Sequence, residues 1–327
     1  VTVLVTGASG FLGRAVARAL VARGEDVRTL QRRPSGVAGV KDVAGSVTDP
    51  AAVARAVDGV TAVVHLAAKV SLAGRPEEFE AVNVGGTRIL LDAARRAGVE
   101  RFVHVSSPSV AHAGSSLVGV GAGPADPEHA RGHYARTKAA AELLALARDG
   151  EPGAPSVVAV RPHVVWGPGD TQLVERVVDR AARGRLPLLG HGAALIDTTY
   201  VDNAADGILA ALDRAPAVHG RAYVLTNGEP RTVADLLAGM CRAAGVRPPA
   251  RRVPAGLARA AGGVVEAVWQ VRPGADEPPM TRFLAEQLST AHWFDQRATR
   301  ADLRWRPAVS IDEGMRRLAE HYRRAGR

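Results

Sequence analysis

The sequence predicts an α/β protein: a doubly wound parallel Rossmann sheet with a smaller, mainly helical C-terminal substrate lobe. Two observations predict it. Short apolar runs rich in β-branched residues alternate with amphipathic stretches through the first half. A glycine also falls where each early helix should stop, at Gly24, Gly59, Gly98 and Gly150. Strand–helix alternation of this kind implies a parallel sheet covered on both faces. The division is expected near residue 165. Residues 1–165 hold the sheet, and residues 166–327 form the lobe, with some segments returning to the sheet domain.

In order, Val1–Thr6, Val27–Leu30, Ala62–Ala67, Arg101–Ser106 and Val157–Arg161 read as buried strands, with few charges inside. Between them, Leu12–Arg23, Ala51–Val57, Glu77–Ala97 and Tyr134–Ala147 carry helical patterns. Residues 112–133, rich in Gly and Pro, read as a long loop, and long loops in compact domains are usually functional. After residue 166 the alternation stops. Helical segments follow at Gln172–Gly184, Val201–Arg214, Thr232–Gly245 and Ile311–Arg324, separated by turns. Thr232 and Ser310 read as helix N-caps, and Ser310 with Glu313 reads as a capping box.

Composition narrows the function classes. The chain has 327 residues, 46% of them hydrophobic, enough for a sizeable core. One cysteine, Cys241, excludes a disulfide framework and cysteine-based metal sites. The strand-like start predicts no secretory leader, and a cytoplasmic location fits. A spanning helix needs about 18 or more uncharged apolar residues, and the nearest run, Val253–Val271, is interrupted by Arg259 and Glu266. That run is expected to be a buried lobe helix. The net charge of +9 comes from scattered arginines in short runs, so nucleic acid is not an expected partner. Only three lysines occur, Lys41, Lys69 and Lys138.

Val5–Gly13 (VTGASGFLG) joins the first strand to the first helix. Gly7 allows the tight turn, Gly10 lets the backbone approach a pyrophosphate, and Gly13 lets helix and strand pack closely. Ser9, Phe11 and Leu12 belong to the same cradle, at a helix N-terminus that offers N–H groups and a positive dipole end. The end of the second strand chooses the dinucleotide. An acid there would hold the ribose hydroxyl of NAD, but the sequence has Leu30-Gln31-Arg32-Arg33. Arg32 and Arg33 suit the extra phosphate of NADP, with NAD as the alternative.

Tyr134 and Lys138 stand at i and i+4, on one helix face. A free phenol titrates near ~10, and a neighbouring cation brings it toward working pH. Phe102–Val110 (FVHVSSPSV) ends a buried strand in hydroxyls at the sheet's carboxyl edge. Ser106, Ser107 and Ser109 compete there for a hydrogen bond to a substrate carbonyl oxygen. A metal pair at His129 and His133 is set aside, because Ala130 stands where a metalloprotease helix needs glutamate. A serine hydrolase is also set aside, because no Gly-x-Ser-x-Gly surrounds Ser107.

With these motifs the sequence resembles the extended short-chain dehydrogenase/reductase family over nearly its whole length. The resemblance rests on Thr6–Gly13, His65–Ala68, Asn83–Thr87, Ser106-Ser107, Tyr134 with Lys138, Arg161-Pro162, Trp166–Pro168 and Tyr200–Asn203. It implies that Tyr134 is the acid or base, that Lys138 binds the nicotinamide ribose and tunes Tyr134, and that Ser107 is the catalytic serine. It further places Asn83 near the cofactor, Leu66, Ala67, Ala68 and Lys69 along the cofactor groove, and the backbone at Pro162 and Val164 against the nicotinamide. The family often has Gly-Asp after the third strand for the adenine. Here Gly45-Ser46 stands instead, leaving adenine recognition to Ser46 and Val47.

Ser109, His163, Trp166 and Tyr200 are the candidate substrate contacts. Within the family the chain resembles the 3β-hydroxysteroid dehydrogenase branch, including 2-alkyl-3-oxoalkanoate reductases and bacterial sterol dehydrogenases. The segments carrying this are Arg161–Asp170, Asp197–Asn203, Asn227–Pro230, Pro279–Leu284 and Ser289–Asp295. The expectation is an NADP-dependent oxidoreductase interconverting a ketone and a secondary alcohol on a hydrophobic small molecule, such as a 3-oxo acid, steroid or polyketide. Its alternatives are a nucleotide-sugar epimerase or dehydratase with tightly bound NAD, and a non-enzymatic NADP sensor. A homodimer and a peripheral membrane contact stay open.

Overall fold

The computed structural model describes residues 1–71, 74–111, 116–254, 256–258, 260–263, 265 and 289–326. Seven strands build the main sheet: β1 (Thr2–Thr6), β2 (Asp26–Gln31), β3 (Val40–Ala44), β4 (Ala62–His65), β5 (Arg101–Val105), β6 (Ser156–Pro162) and β7 (Arg221–Leu225). They pair in parallel in the order β7-β6-β5-β4-β1-β2-β3. The order reverses direction between β1 and β4, and open α/β sheets bind ligands at the carboxyl ends beside such a switch point.

Side-chain alternation along each strand sets the two faces. Val3, Val5, Val103, Val105, Val158 and Val160 enter one core, while Leu4, Val63, Phe102 and Val157 enter the other. Helices α1 (Phe11–Ala22) and α7 (Val201–Val218) cover the first face, and α2 (Pro50–Val57) and α4 (Gly86–Arg96) cover the second. Between α2 and α4, a short α3 (Pro76–Phe79) is followed by a π-turn, Glu80–Gly85. The expected single helix Glu77–Ala97 therefore contains a wide turn, and Asn83 sits inside it. Such turns are frequent at functional sites. Helix α5 (Gly132–Ala147) then leads into β6.

The C-terminal region contains α6 (Val174–Ala182), α8 (Val233–Ala243), α9 (Arg297–Leu303) and α10 (Ile311–Arg324). Trp166, Val174, Ile196, Tyr200, Leu237, Met240, Ile311 and Leu318 form its own core. Both expected caps are present: Thr232 accepts from the Asp235 amide at 3.0 Å, and Ser310 accepts from the Glu313 amide at 3.1 Å. The Glu313 carboxylate, however, turns to Arg316 and Arg317.

Two main-sheet strands carry no clear sequence signal. β3 is a polar edge strand, with Lys41, Asp42 and Ala44 exposed, so no apolar run marks it. β7 lies beyond residue 166, where the alternation had stopped, and α7 and β7 both pack into the main-sheet core. The expected loop 112–133 also contains a strand, Leu117–Val120, which pairs in parallel with His292–Phe294. The segment Pro279–Leu284 lies outside the described residues, as do residues 255, 259, 264 and 266–271 of Val253–Val271. The described part of that run is helical at 256–258 and 260–263, with Ala258 buried but Leu257 exposed, so it is not the wholly buried helix expected. Among the described residues, no helix is long and apolar enough to cross a membrane.

Candidate active site

Four residues reverse the chain between β1 and α1. Gly7 has φ +77°, and a Cβ there would lie 2.9 Å from the Ala67 nitrogen. A Cβ on buried Gly13 would collide with the Gly7 carbonyl. Gly10 differs: it is exposed, and its nearest obstacle would be the Gly7 oxygen at 3.3 Å. Gly7 and Gly13 thus serve the close packing of β1, α1 and the segment after β4, while Gly10 leaves a bare outer surface. Ser9, Phe11 and Leu12 are partly exposed around it, and the first turn of α1 holds no acidic side chain. A side-chain-free cradle at an uncompensated helix N-terminus fits a pyrophosphate.

The other sheet ends surround this cradle. Arg32 and Arg33 are both exposed just past β2. Their turn is braced from beneath. Buried Gln31 donates to Thr29 and to Asp42, each at 2.8 Å, and Asp42 accepts from the Ser35 amide at 3.1 Å. Burial would raise the Asp42 carboxyl, but hydrogen bonds from Thr29, Ser35 and Gln31 outweigh it and hold the group below its ordinary value. Past β3, the Ser46 hydroxyl meets Thr48 at 2.8 Å, and buried Val47 packs against Gly86. Past β4, Leu66, Ala67, Ala68 and Lys69 are partly exposed. The Lys69 amide donates to Asn83 Oδ1 at 2.8 Å, and Asn83 Nδ2 donates to Thr137 Oγ1 at 3.0 Å. Asn83 therefore ties the groove to α5, beside Lys138.

The three serines at the end of β5 differ in what they touch. Ser106 is buried, and its hydroxyl has no partner. Ser107 is hydrogen-bonded to Tyr134, and Ser109 donates to Ser107 Oγ at 3.0 Å. Burial pushes the Tyr134 phenol up to about 12, against the lowering effect of the Ser107 bond. The ammonium goes elsewhere. Lys138 Nζ donates to the Val105 carbonyl at 2.7 Å and lies 3.4 Å from His104 Nε2. Burial brings Lys138 down to about 8, partly opposed by the Glu142 carboxylate. The expected lowering of the phenol by Lys138 is therefore not what this arrangement produces: desolvation dominates Tyr134, and Lys138 is engaged with β5.

Past β6, Pro162 and His163 are buried, and Val164 is partly exposed with φ +44°. A β-branched residue in the left-handed region costs about 1–3 kcal/mol, and such strain clusters at ligand-facing backbone. His163 Nδ1 donates to the Asp197 carbonyl at 2.7 Å, and its ring meets Phe294 edge-on at 5.1 Å. Trp166 and Tyr200 depart from expectation. Trp166 is fully buried, donates to Thr198 at 2.9 Å and packs against Tyr200, itself only 2% exposed. Both are packing residues of the C-terminal core, so the reading of them as substrate contacts is corrected. Large aromatics beside Gly/Pro turns look alike in sequence whether they line a mouth or fill a core.

One pair escaped the sequence reading. Glu142 on α5 and Arg161 on β6 form an ion pair, each 1% exposed. Glu142 stands four residues after Lys138 on the same helix stripe, and that spacing was the available signal.

A glycine cradle at the carboxyl edge of a parallel sheet, with a phenol, an ammonium and a hydroxyl beside it, defines a dinucleotide-dependent protein of the Rossmann class. A model of the NAD dependent epimerase/dehydratase family matches residues 3–226, and the chain belongs to that family. It is 41% identical over 324 residues to a 2-alkyl-3-oxoalkanoate reductase of Stenotrophomonas maltophilia, covering 97% of this chain and 98% of that one. It is 32% identical over 338 residues to a 3 beta-hydroxysteroid dehydrogenase/Delta 5-->4-isomerase of Mycobacterium tuberculosis, covering 98% and 90%. Among solved structures it resembles MoeE5 in complex with UDP-glucose and NAD, with a TM-score of 0.74, 26% identity and 100% of each chain covered. The chain is an NAD(P)-dependent oxidoreductase of the extended short-chain dehydrogenase/reductase group.

Proposed function

We propose that the protein is an NADP-dependent reductase that converts a ketone to a secondary alcohol on a hydrophobic substrate of the 3-oxo acid, steroid or polyketide kind. The observation that carries this reading is the hydrogen bond between Tyr134 and Ser107 at the end of β5, with the phenol held protonated by burial. When bound, the reduced nicotinamide supplies the hydride to the carbonyl carbon. Ser107 donates a hydrogen bond to the carbonyl oxygen as charge grows on it. Tyr134 gives its proton to that oxygen, completing the alcohol. A phenol at about 12 is a suitable donor to a forming alkoxide, which is far more basic. Lys138, one turn along α5, holds positive charge beneath the site. The residues that would hold the cofactor are Gly7, Ser9, Gly10, Phe11, Leu12 and Gly13 at the pyrophosphate, and Arg32 and Arg33 at the ribose phosphate. Ser46 and Val47 would meet the adenine. Leu66, Ala67, Ala68, Lys69, Asn83 and Lys138 would line the groove, with Pro162 and Val164 at the nicotinamide.

The reductase among the relatives agrees with the direction. The test is a cofactor-oxidation screen of NADPH and NADH against 3-oxo acids and 3-oxosteroids. NADPH oxidation with a 3-oxo compound supports the reading. Conversion of a nucleotide sugar without net cofactor turnover overturns it in favour of an epimerase or dehydratase.

A further inference from the structure

The main-sheet interior holds one ion pair that the proposed chemistry does not use. Arg161 Nε donates to Glu142 Oε2 at 2.9 Å, and its Nη2 donates to Glu142 Oε1. Its Nη1 donates to the Ala122 carbonyl. Both side chains are 1% exposed. Three segments meet here. Glu142 lies on α5, one turn past Lys138 and two turns past Tyr134. Arg161 immediately precedes Pro162, His163 and the strained Val164. Ala122 belongs to the connection between the strand Leu117–Val120 and α5. Burying two charges is expensive, and a buried pair is weak evidence of stabilisation in itself. A planar guanidinium with two parallel bonds to one carboxylate does, however, fix both rotation and register.

We propose that Glu142 and Arg161 are positioning residues: their ion pair locks α5 to β6 and to the Ala122 connection, and the Glu142 carboxylate keeps the Lys138 ammonium charged in a dry interior. The proposal rests on the reading of Tyr134 and Lys138 given above. The groups around Lys138 fit it. On α5 itself are Tyr134 and Glu142. His65 on β4 and His104 on β5 are buried and held neutral, their ordinary values lowered by burial and by the Lys138 charge. Arg161 on β6 lies behind Glu142 and is paired with it. Glu142 is thus the one acidic group among them, and it opposes the effect of burial on Lys138.

The experiment reads Lys138 directly. The chain has only three lysines, so carbon-13 lysine resonances assign readily, with K138M identifying the third. The titration midpoint of Lys138 is followed by NMR in the full-length protein, in E142Q and in E142Q/R161M, the last leaving no unpaired Arg161 guanidinium in the interior. E142Q is expected to lower the midpoint by roughly one pH unit or more, and the double variant by less but still below wild type. The alkaline limb of the turnover profile should move with it. A folded double variant whose Lys138 titrates as in wild type overturns the proposal. Because this midpoint is read without turnover, it is independent of the catalytic reading, which fails separately if Y134F retains full activity.

Discussion

The Tyr134 hydroxyl is hydrogen-bonded to Ser107, joining the start of α5 to the end of β5. With burial pushing the phenol up to about 12, Tyr134 is protonated throughout the neutral range, as a proton donor must be. Tyr134→Phe should cut turnover roughly 10²–10⁴-fold, the usual scale of general acid catalysis, and leave NADPH binding intact. Steady-state rates beside a fluorescence titration of the cofactor check this. Lys138 should lose its proton near pH 8, so the reduction rate should fall on the alkaline side there, well before the phenol ionises.

Gly10 and Gly13 separate binding from folding. A Cβ at Gly13 collides with the Gly7 carbonyl, whereas one at Gly10 meets only the Gly7 oxygen at 3.3 Å and otherwise points outward. Gly10→Ala should keep the melting temperature close to wild type while weakening NADPH binding about tenfold or more, since the methyl stands where the pyrophosphate approaches. Gly13→Ala should lower the melting temperature itself, by an overpacking cost of about 1–3 kcal/mol. Equal loss of stability in both variants would remove the distinction.

Arg32 and Arg33 are exposed on a turn braced by Asp42 and Gln31, so their loss should leave the fold untouched. Replacing both with Ala should raise KM for NADPH by roughly 10–100-fold, the worth of one or two charge-assisted hydrogen bonds. KM for NADH should change little. A parallel rise for both cofactors would assign the arginines no part in discriminating the phosphate.

What the sequence makes legible follows from how local each signal is. The glycine cradle and the Tyr134–Lys138 spacing lie within one turn of chain, and a buried strand such as Val103–Val105 advertises itself by composition. β3 does not, because an exposed edge strand has no apolar face to display. β7 does not either, because its place in the sheet depends on α7 folding back across it. The choice among Ser106, Ser107 and Ser109 depends on which hydroxyl the strand's twist turns toward α5, a three-dimensional matter. Trp166 and Tyr200 fail for the opposite reason: their local setting suggests a mouth, and only the packing of α10 against them reveals a core, with Gly314 fitted against both rings.

Buried histidines make stability depend on pH. His65 donates or accepts between Thr6 and Thr87, at 2.7 and 2.9 Å, and burial followed by the Lys138 charge lowers it to about 3. His104, beside Lys138, is lowered in the same direction by burial, Lys138 and His65. Unfolding returns each to about 6.5, so between those values the unfolded chain binds more protons than the native one. Their contribution is complete above about pH 6.5 and is lost as pH falls toward the native value, at roughly 1.4 kcal/mol per pH unit for each histidine. Asp197 acts in reverse. Burial raises it to about 6 despite bonds from Thr226, Glu229 and Gly228, so the native state takes up a proton there and gains stability as pH falls from 6 to 3.8. Two histidines against one carboxyl leave a net loss on acidification. Urea midpoints should therefore fall steadily from pH 7 to pH 5, and the fall should be shallower in His104→Phe, which has no proton to take up. An unchanged slope in that variant would place the acid sensitivity elsewhere in the chain.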